Sequence, residues 1–265
     1  MRVGVTGSGG RMGRMLVAAV HTAGGCRLAG GSEAPGSALL GRDIGEIAGI
    51  GKVGLAAVAD AGALFAASDA IIDFTSPAAA VIHAGLAAEH GRALVIGTTG
   101  LDATQTAALE AAAKRAPILW APNMSPAVTM LLGLVEEAAR RLGPDYDIEV
   151  VEMHHRHKVD APSGTALALG RAAAKGRGID LEAHSQRVRD GHTGPRKSGD
   201  IGFASLRGGD VVGDHTVILA GDGERLELTH RASGRHIFVG GAIKGARWLV
   251  GRAPGLYGMR DMLGI

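Results

Sequence analysis

The sequence predicts an α/β protein in two parts, and three observations lead to that prediction. Short apolar runs alternate with alanine-rich helical stretches over residues 1–125, as in a doubly wound parallel sheet with helices on both faces. From residue 201, strand-like runs are separated by glycine and aspartate turns, which indicates an α+β domain with a mixed or antiparallel sheet. A helical pattern then returns over 236–250. We therefore expect one domain of residues 1–125 with 236–265 and a second of 126–235.

The elements of the first domain follow from apolar runs of strand length and from helical spacing of alanine and leucine. Asp102 is placed to cap a helix, because its side chain can accept hydrogen bonds from the free N–H groups of a first turn. In chain order, the predicted elements are strand Arg2–Thr6, helix Arg11–Thr22, strand Cys26–Gly31, strand Ala70–Phe74, helix Pro77–Glu89, strand Ala93–Ile96, helix Asp102–Arg115 and strand Pro117–Trp120.

The second domain combines fewer helices with more strands. Turns are expected at Gly208–Asp210 and Gly221–Gly223, each closing a hairpin, and the very polar stretch 184–200 is interpreted as a mobile loop. The remaining predicted elements are helix Ala127–Leu142, strand Ile148–Met153, helix Ala166–Lys175 and, back in the first domain, helix His236–Val250.

Composition excludes several classes of protein. The chain has 43 glycines among 265 residues without a three-residue period, 46% hydrophobic residues and a net charge of +2, which excludes collagen and disfavours disorder. Aromatic residues are only 3%, so nucleic acid is a poor candidate partner. No signal-peptide stretch or apolar run of about 18 residues is present, and Cys26 is the single cysteine. We therefore expect a cytoplasmic protein that does not bind membranes.

A glycine-rich turn follows the first predicted strand and opens the first helix. Gly7, Gly10 and Gly13 are spaced three residues apart, as in the Rossmann-type fingerprint that brings backbone close to a pyrophosphate. The phosphates would lie at the helix N-terminus, where free N–H groups favour anions. An ordinary glycine-rich turn is the alternative.

Glu33 bears on which dinucleotide would bind. It lies 20 positions after Gly13, just past the second strand, where an acidic residue holds the ribose hydroxyls. A carboxylate repels a 2′-phosphate, and the next residue is Ala34 rather than an arginine, so the pattern favours NADH. Arg11 could still meet a phosphate, which keeps NADPH open. A solvated turn residue is the alternative for Glu33.

A second cluster, HHRHK at 154–158, follows a strand and precedes the stretch PSGT at 162–165. Three interpretations compete. A solvated basic loop is the simplest; a zinc site is the second, although adjacent histidines suit one metal poorly and no HExxH spacing occurs. The third is an acid/base and anion site, in which histidine moves protons, lysine and arginine hold carboxylates, and a helix N-terminus adds N–H groups. We favour the third and expect no metal.

With these motifs, the chain resembles the 4-hydroxy-tetrahydrodipicolinate reductase family, also called dihydrodipicolinate reductases. The block from Glu152 to Ala166 is the most specific part of the resemblance, and the likeness covers nearly the whole chain. The matching stretches are VTGSGGRMG at 5–13, DFTSP at 73–77, GTTG at 97–100, PNMS at 122–125, EMHHRHKVDAPSGTA at 152–166 and GLYGMRDML at 255–263.

The resemblance implies an activity and a set of site residues. The family reduces a cyclic dicarboxylate with NAD(P)H to tetrahydrodipicolinate, with loss of water, in lysine biosynthesis through diaminopimelate, and it is usually homotetrameric. It implies catalytic roles for His154 and Lys158 and a role in binding substrate carboxylates for His155, Gly164 and Thr165. The implied cofactor positions are Gly7, Ser8, Gly9, Gly10, Arg11, Met12, Glu33, Gly97, Thr98, Thr99, Ala121, Pro122, Asn123 and Met124.

One departure and two alternatives remain. Members that use NADPH well often have arginine after the acidic residue, whereas this chain has Ala34, so the resemblance does not imply a strong NADPH preference. A different NAD(P)-dependent dehydrogenase acting on an amino or oxo acid would share the fold, since function lies in the site. A dinucleotide-sensing regulator would need a further binding module, for which no segment is spare.

Overall fold

The first predicted sheet is present as seven parallel strands. The computed structural model describes residues 1–265, and residues 1–125 with 236–264 form one compact unit, the first unit. Its elements are β1 (Arg2–Thr6), α1 (Arg11–Thr22), β2 (Arg27–Ser32), α2 (Ile44–Ala48), β3 (Ala57–Val58), α3 (Ala61–Ala67), β4 (Ala70–Asp73), α4 (Pro77–His90), β5 (Ala93–Ile96), α5 (Ala103–Ala113) and β6 (Pro117–Trp120).

The chain returns to the first unit after residue 235. There it adds α9 (His236–Leu249), β12 (Gly255–Tyr257) and α10 (Met259–Leu263). The strand order is β12-β6-β5-β4-β1-β2-β3. The connections therefore run in opposite directions on the two sides of the β1–β4 pair, which is the topological switch point where such sheets bind ligands at their carboxyl ends.

Helices cover both faces of this sheet, because alternate strand residues point to opposite faces. On one face, Val3 and Val5 pack with Leu16 of α1 and Val239 of α9, all buried. On the other face, the buried residues of β4, β5 and β6 pack against α3, α4 and α5. The predicted Rossmann-type doubly wound fold is confirmed.

The second unit, residues 126–235 with Ile265, is built on a five-stranded sheet. Its elements are α6 (Pro126–Leu142), a 3₁₀ turn (Gly143–Asp145), β7 (Asp147–His154), α7 (Gly164–Arg177), α8 (Leu181–His184), β8 (Ser185–Gln186), β9 (Ile201–Arg207), β10 (Gly213–Gly221) and β11 (Glu224–Ala232). The strand order is β11-β10-β7-β9-β8. Helices α6 and α7 pack on one face, around Val150, Leu169 and Val217.

This sheet is mixed, and one predicted hairpin is wrong. β10 pairs antiparallel with both β11 and β7, whereas β7 pairs parallel with β9. The turn at 221–223 does close a hairpin, but Gly208–Asp210 does not, because β7 lies between β9 and β10. A glycine-rich turn in the sequence indicates that the chain reverses direction. It does not determine whether the strands on its two sides pair with each other.

The stretch 184–200, interpreted as a mobile loop, is partly ordered by secondary structure and ion pairs. It begins with the end of α8 and with β8. Arg196 forms ion pairs with Asp147 at 2.7 Å and with Glu149 at 3.0 Å, and Arg189 forms a second ion pair with Glu149 at 2.8 Å. Both carboxylates lie on β7, so the polar stretch is attached to the sheet.

Local signals predicted helix α5 well. Asp102 accepts a hydrogen bond from the N–H of Gln105 at 2.8 Å, and the Gln105 side chain accepts one from the N–H of Asp102 at 3.0 Å. This reciprocal capping box ends the strand-to-helix turn and fixes where α5 begins.

No helix of the structure is both long and apolar enough to cross a membrane.

Candidate active site

The glycine-rich turn connects β1 to α1 and leaves the helix N-terminus uncapped. Gly7 has φ +61°, and its carbonyl accepts the N–H of Gly10 at 3.0 Å. A Cβ at Gly13 would lie 2.0 Å from the Gly7 oxygen, so only glycine lets α1 approach the turn so closely. Gly10, the residue before α1, supplies no side-chain cap, and the first turn of α1 has no acidic residue. These features favour an anion at this position.

Glu33 follows β2 and contacts the same turn. Its Oε1 accepts the N–H of Gly9 at 2.5 Å, and a Cβ at Gly9 would meet the Leu39 side chain at 2.1 Å. Ala34 and Arg11 are both exposed. The carboxylate of Glu33 and the glycine-rich turn are thus adjacent, as a dinucleotide site requires.

A small cavity of about 180 Å³ lies beside α1 at the carboxyl ends of β4 and β5. A Cβ at Gly97 would lie 2.2 Å from the Phe74 ring, so a side chain there would force the ring to move. The residues that line the cavity are Met12, Phe74, Thr75, Pro77, Gly97, Thr98 and Thr99. Three of the predicted cofactor residues therefore meet Met12 of the glycine-rich turn in one cavity.

A buried carboxylate fixes two of these cavity residues. Asp73, fully buried, accepts hydrogen bonds from the hydroxyl of Thr75 at 3.0 Å and from that of Thr98 at 2.9 Å. It also pairs with Nδ1 of His83. Burial alone would raise the pKa of Asp73, but the hydrogen bonds from His83, Thr75 and Thr98 lower it below its usual value. The sequence motif DFTSP contained Asp73 and Thr75. The contacts of Asp73 with His83 and Thr98 depend on tertiary structure, and sequence reasoning missed them.

The remaining predicted cofactor residues follow β6. The N–H of Ala121 donates to the Ile96 carbonyl at 3.1 Å, which continues the sheet edge, and Met124 is buried in the core of the first unit. Asn123 Oδ1 accepts the N–H of Ser125 at 2.9 Å. Pro122 is exposed, whereas Ser8, within the glycine-rich turn, is fully buried. All the predicted cofactor residues thus lie at the carboxyl edge of one parallel sheet.

In the second unit, His154 ends β7 and is held by a buried carboxylate. It is 9% exposed, and its Nδ1 lies 2.5 Å from Oε2 of Glu152. Glu152 is 1% exposed and also binds Arg207 through both oxygens, at 2.9 Å each. Burial would raise the pKa of Glu152, but hydrogen bonds from Arg207, His154 and Ser205 lower it to about 2. The carboxylate is therefore ionised at neutral pH.

Lys158 and His155 lie on the turn that follows His154. The N–H of Lys158 donates to the His155 carbonyl at 3.1 Å, and Nζ forms an ion pair with Asp160 at 2.7 Å. The hydrogen bond that Nζ of Lys158 donates to Asp160, together with the lysine charge, lowers the pKa of Asp160. The Nδ1 atom of His155 is buried without a hydrogen-bond partner. A cavity of about 720 Å³ opens here, lined by His155, Arg156, His157, Gly209 and Asp210.

The N-terminus of α7 is the second place where an anion site is predicted. Ser163 caps it by accepting the N–H of Ala166 at 3.1 Å, so α7 begins with Gly164 and Thr165, two of the predicted carboxylate-binding residues. A Cβ at Gly164 would contact nothing within 4 Å, so the space around it is open. The N–H of Ser163 donates to Oε1 of Glu152 at 3.2 Å. The carboxylate of Glu152 thus contacts both His154 and Ser163, the residue before Gly164.

His215 on β10 completes the cluster, and sequence reasoning missed it along with Glu152 and Arg207. Its Nε2 lies 3.0 Å from the Ser163 hydroxyl, and its ring is 5.1 Å from that of His154. Burial, together with the nearby charge of His154, lowers the pKa of His215 to about 4. Glu152 could have been found, since it lies two residues before His154 and points to the same face of a strand. Arg207 and His215 arrive from other strands, which no local signal reveals.

The low pKa of His215 predicts how stability depends on pH. An unfolded histidine binds its proton near pH 6.5, whereas folded His215 does so near pH 4, so the unfolded chain binds more protons between these values. The contribution of His215 to the free energy of unfolding is therefore fully present above about pH 6.5. It decreases as the pH falls, by about 2 kcal/mol at pH 5. Urea unfolding at pH 7 and pH 5 should show a smaller loss for His215→Gln than for the unaltered protein. An equal loss in both would contradict the assignment.

The structure contains no group of three or more His, Cys, Asp or Glu side chains arranged to hold a metal ion. A doubly wound sheet with a glycine-rich turn at its switch point, and a second unit with clustered histidines and a lysine beside a helix N-terminus, are the features of a dinucleotide-dependent oxidoreductase. The family follows from comparison with known proteins. Residues 1–124 match the model described as dihydrodipicolinate reductase, N-terminus, and residues 127–263 match the one described as dihydrodipicolinate reductase, C-terminus. The chain belongs to the dihydrodipicolinate reductase family.

Individual relatives agree with this assignment. The 4-hydroxy-tetrahydrodipicolinate reductase of Afipia carboxidovorans is 55% identical over 265 residues, covering 100% of this chain and 97% of the relative. That of Brucella abortus is 55% identical over 262 residues, covering 98% of each. A dipicolinate-bound dihydrodipicolinate reductase from Paenisporosarcina sp. TG-14 has the same fold, with a TM-score of 0.79, 23% identity and 98% coverage of both chains.

Proposed function

We propose that this protein reduces 4-hydroxy-tetrahydrodipicolinate to tetrahydrodipicolinate with NAD(P)H and loss of water, in lysine biosynthesis through diaminopimelate. The observation that carries the proposal is the meeting of His154 with the N-terminus of α7 at one buried carboxylate, Glu152. A proton donor beside a carboxylate-binding helix end suits the reduction of a cyclic dicarboxylate. Both family models and the relatives named as this reductase support the same activity.

The substrate carboxylates would bind at the start of α7 and at His155. Backbone N–H groups of Gly164 and Thr165 lie at the N-terminus of α7, which is the positive end of the helix dipole and favours an anion. His155 has a buried Nδ1 without a protein partner, so a bound carboxylate could satisfy its hydrogen-bonding capacity. The Paenisporosarcina reductase was determined with dipicolinate, a dicarboxylate of this class.

The nucleotide would bind along the carboxyl edge of the first unit. There the glycine-rich turn Gly7–Gly10, with Arg11 and Met12, would hold the pyrophosphate, and Glu33 would hold the ribose hydroxyls. The cavity at Gly97, Thr98 and Thr99 offers a place next to the turn for a further part of the nucleotide. When bound, the reduced nicotinamide would supply a hydride to a conjugated ring carbon of the substrate.

His154 and Lys158 would complete the reaction. Hydride addition places negative charge on the substrate ring system, and the Lys158 ammonium would stabilise that charge. Loss of the ring hydroxyl and a neighbouring ring hydrogen as water would create the conjugated double bond that accepts the hydride. His154 would then donate its proton to the adjacent carbon, so that one hydride and one proton together saturate that double bond. Lys158 holds Asp160 in the structure, so it would have to exchange that partner for substrate.

Turnover itself is the test of this function. Purified protein mixed with freshly generated 4-hydroxy-tetrahydrodipicolinate should oxidise NADH, followed as the loss of its near-ultraviolet absorbance. An amino-acid or oxo-acid substrate should give no comparable rate, which separates this activity from that of another dehydrogenase on the same fold. Absence of turnover with both NADH and NADPH would overturn the proposal.

The proposed preference for NADH rests on the pair Glu33 and Ala34. Introducing a cation at the exposed Ala34 position gives a 2′-phosphate a partner beside the carboxylate that otherwise repels it. We therefore expect Ala34→Arg to raise kcat/KM for NADPH relative to NADH by about tenfold, which corresponds to about 1.4 kcal/mol. Steady-state kinetics with both nucleotides measure the ratio. An unchanged ratio would mean that another group, such as Arg11, decides the preference.

We also propose that the protein is a cytoplasmic homotetramer. The face of the second sheet opposite α6 and α7 carries Val151, Ala204, Leu206 and Ile218, and Leu206 is 50% exposed. A sheet face with apolar side chains of this kind is suited to pairing with a second copy. Light scattering would give the mass of the assembly, and a monomer mass would contradict this proposal.

The single, unpaired Cys26 is compatible with a reducing compartment.

A further inference from the structure

Glu152 is a buried side chain to which the reaction assigns no part. It is 1% exposed, and its two oxygens accept hydrogen bonds from three different residues. Arg207 at the end of β9 contacts both oxygens, Ser163 donates its N–H to Oε1, and His154 contacts Oε2. One carboxylate therefore joins the proposed proton donor to the start of the helix that would bind the substrate.

The charge on Glu152 is fixed by its surroundings. An isolated carboxylate in the protein interior is strongly unfavourable, whereas an ion pair with two parallel N–H···O bonds to arginine compensates much of that cost. Arg207 has this geometry, at 2.9 Å for each oxygen. The ionised carboxylate can only accept hydrogen bonds, because it carries no proton.

The tautomer of His154 follows from that charge. Since Oε2 of Glu152 has no proton to donate, the short contact at 2.5 Å requires the proton to lie on Nδ1 of His154. The neutral ring then has its lone pair on Nε2, and the protonated ring has Nε2–H as its outward donor. A Cβ at Gly213 would lie 2.9 Å from Nε2, so glycine leaves room beside this atom.

We propose that Glu152, held in place by Arg207, is the positioning residue of the reductase, which aims Nε2 of His154 at the substrate and fixes its tautomer. The inference rests on the proposed role of His154 as proton donor. Glu152 does not touch substrate and acts through His154. Its negative charge also balances the charge of the ring while the ring holds the proton that it donates. By accepting the N–H of Ser163, the same carboxylate also fixes the position of the start of α7 relative to the His154 ring.

A merely structural ion pair between β7 and β9 is the competing explanation. It predicts that loss of the carboxylate lowers stability without changing the His154 tautomer. Glu149 provides a matched control, since it lies on β7 three residues earlier and points to the opposite face. It is also held by two arginines, Arg189 and Arg196.

The experiment compares Glu152→Gln with Glu149→Gln. The glutamine amide keeps the size of Glu152. With its oxygen at the Oε1 position, where the N–H of Ser163 and one N–H of Arg207 donate, its NH₂ group would face Nδ1 of His154. In Glu152→Gln we expect kcat to fall by about 10²–10⁴-fold, as for loss of the correct histidine tautomer or of a general acid, with little change in KM. Glu149→Gln should retain kcat, and urea unfolding should report the stability of both variants.

Nitrogen-15 NMR of the histidine rings supplies a readout that does not depend on turnover. At a pH where histidines are neutral, His154 of the unaltered protein should be protonated on Nδ1 and not on Nε2, and Glu152→Gln should reverse this; a His154→Asn spectrum assigns the signals. Neutral His154 with its proton on Nε2 in the unaltered protein would overturn the inference. So would an unchanged kcat or tautomer in Glu152→Gln.

Arg207→Lys keeps the inference testable where Glu152→Gln does not fold. The lysine preserves a positive partner for the carboxylate, so the Nδ1–H tautomer and most of kcat should remain. Loss of that tautomer in a folded Arg207→Lys would count against the inference. If the unaltered protein showed no reductase activity but His154 had the expected tautomer, the proposed function would fail and the structural assignment of the Glu152–His154 pair would stand.

Discussion

Replacing His154 by alanine is expected to lower kcat by about 10²–10⁴-fold, the usual cost of losing a general acid. The ring is the proton donor of the proposed reaction, and no other histidine shares its contact with Glu152. The proposed nucleotide-binding residues lie in the first unit, so the dissociation constant for NADH should not change. Initial rates with 4-hydroxy-tetrahydrodipicolinate and NADH fluorescence titration measure the two quantities.

The control for this variant is His192→Ala, which removes an exposed histidine of the same unit far along the chain from the cluster. It should retain the rate of the unaltered protein. A His154→Ala protein that is folded, binds NADH and keeps the original kcat would remove His154 from the reaction. The proton would then have to come from Lys158 or from water.

The second large effect is expected at Gly13. A Cβ there would lie 2.0 Å from the Gly7 carbonyl oxygen and 2.8 Å from the Gly7 and Ser8 carbonyl carbons. These are backbone atoms of the turn that would hold the pyrophosphate, so the turn must move. For Gly13→Ala we expect a loss of about 1–3 kcal/mol in the free energy of unfolding and at least about a tenfold weaker affinity for NADH. Urea unfolding and fluorescence titration measure both.

Gly85→Ala is the matched control with the opposite sign. Gly85 lies within α4, is exposed, and a Cβ there would contact nothing within 4 Å. Alanine at such a helix position should increase the free energy of unfolding by about 0.5–1 kcal/mol and leave NADH affinity unchanged. If Gly13→Ala were as stable as Gly85→Ala and bound NADH normally, the close approach at the turn would not matter to binding.

The parts of the fold that could be predicted are those that local physics determines. Alternating strands and helices specified the parallel sheet, and β1, α1 and β6 have the predicted bounds. Asp102 and Gln105 form a capping box within four residues of chain, so a short window contains the whole interaction. The short elements α2, α3 and β12 were missed, because three to seven residues give too little periodicity to distinguish a helix or strand from a loop.

The parts that could not be predicted depend on strand order. Gly208–Asp210 reverses the chain, but the sequence does not say that β7 separates β9 from β10. For the same reason Arg207, which lies beside His154 in the parallel β7–β9 pair, and His215 had no local signal that linked them to the site. Asp73 and His83 are ten residues apart, and their pairing depends on how α4 packs against the end of β4.

The site was predicted in outline for a related reason. Residues that the proposed reaction uses together and that are close in sequence, such as His154, Lys158 and Gly164, could be recognised as one cluster. The supporting groups could not, although they determine how His154 is oriented. Glu152 is the intermediate case, since its position two residues before His154 was visible but its burial and its contact with Arg207 were not.

Transfer of an isotopic label tests the central claim most directly. The protein is given 4-hydroxy-tetrahydrodipicolinate and NADH that carries deuterium at nicotinamide C4 on the transferred face, and the products are analysed by mass spectrometry. We expect tetrahydrodipicolinate that contains one deuterium per NADH consumed. Unreacted substrate, or a reduced product without deuterium, would contradict the assignment of this protein as a hydride-transferring reductase of the cyclic dicarboxylate.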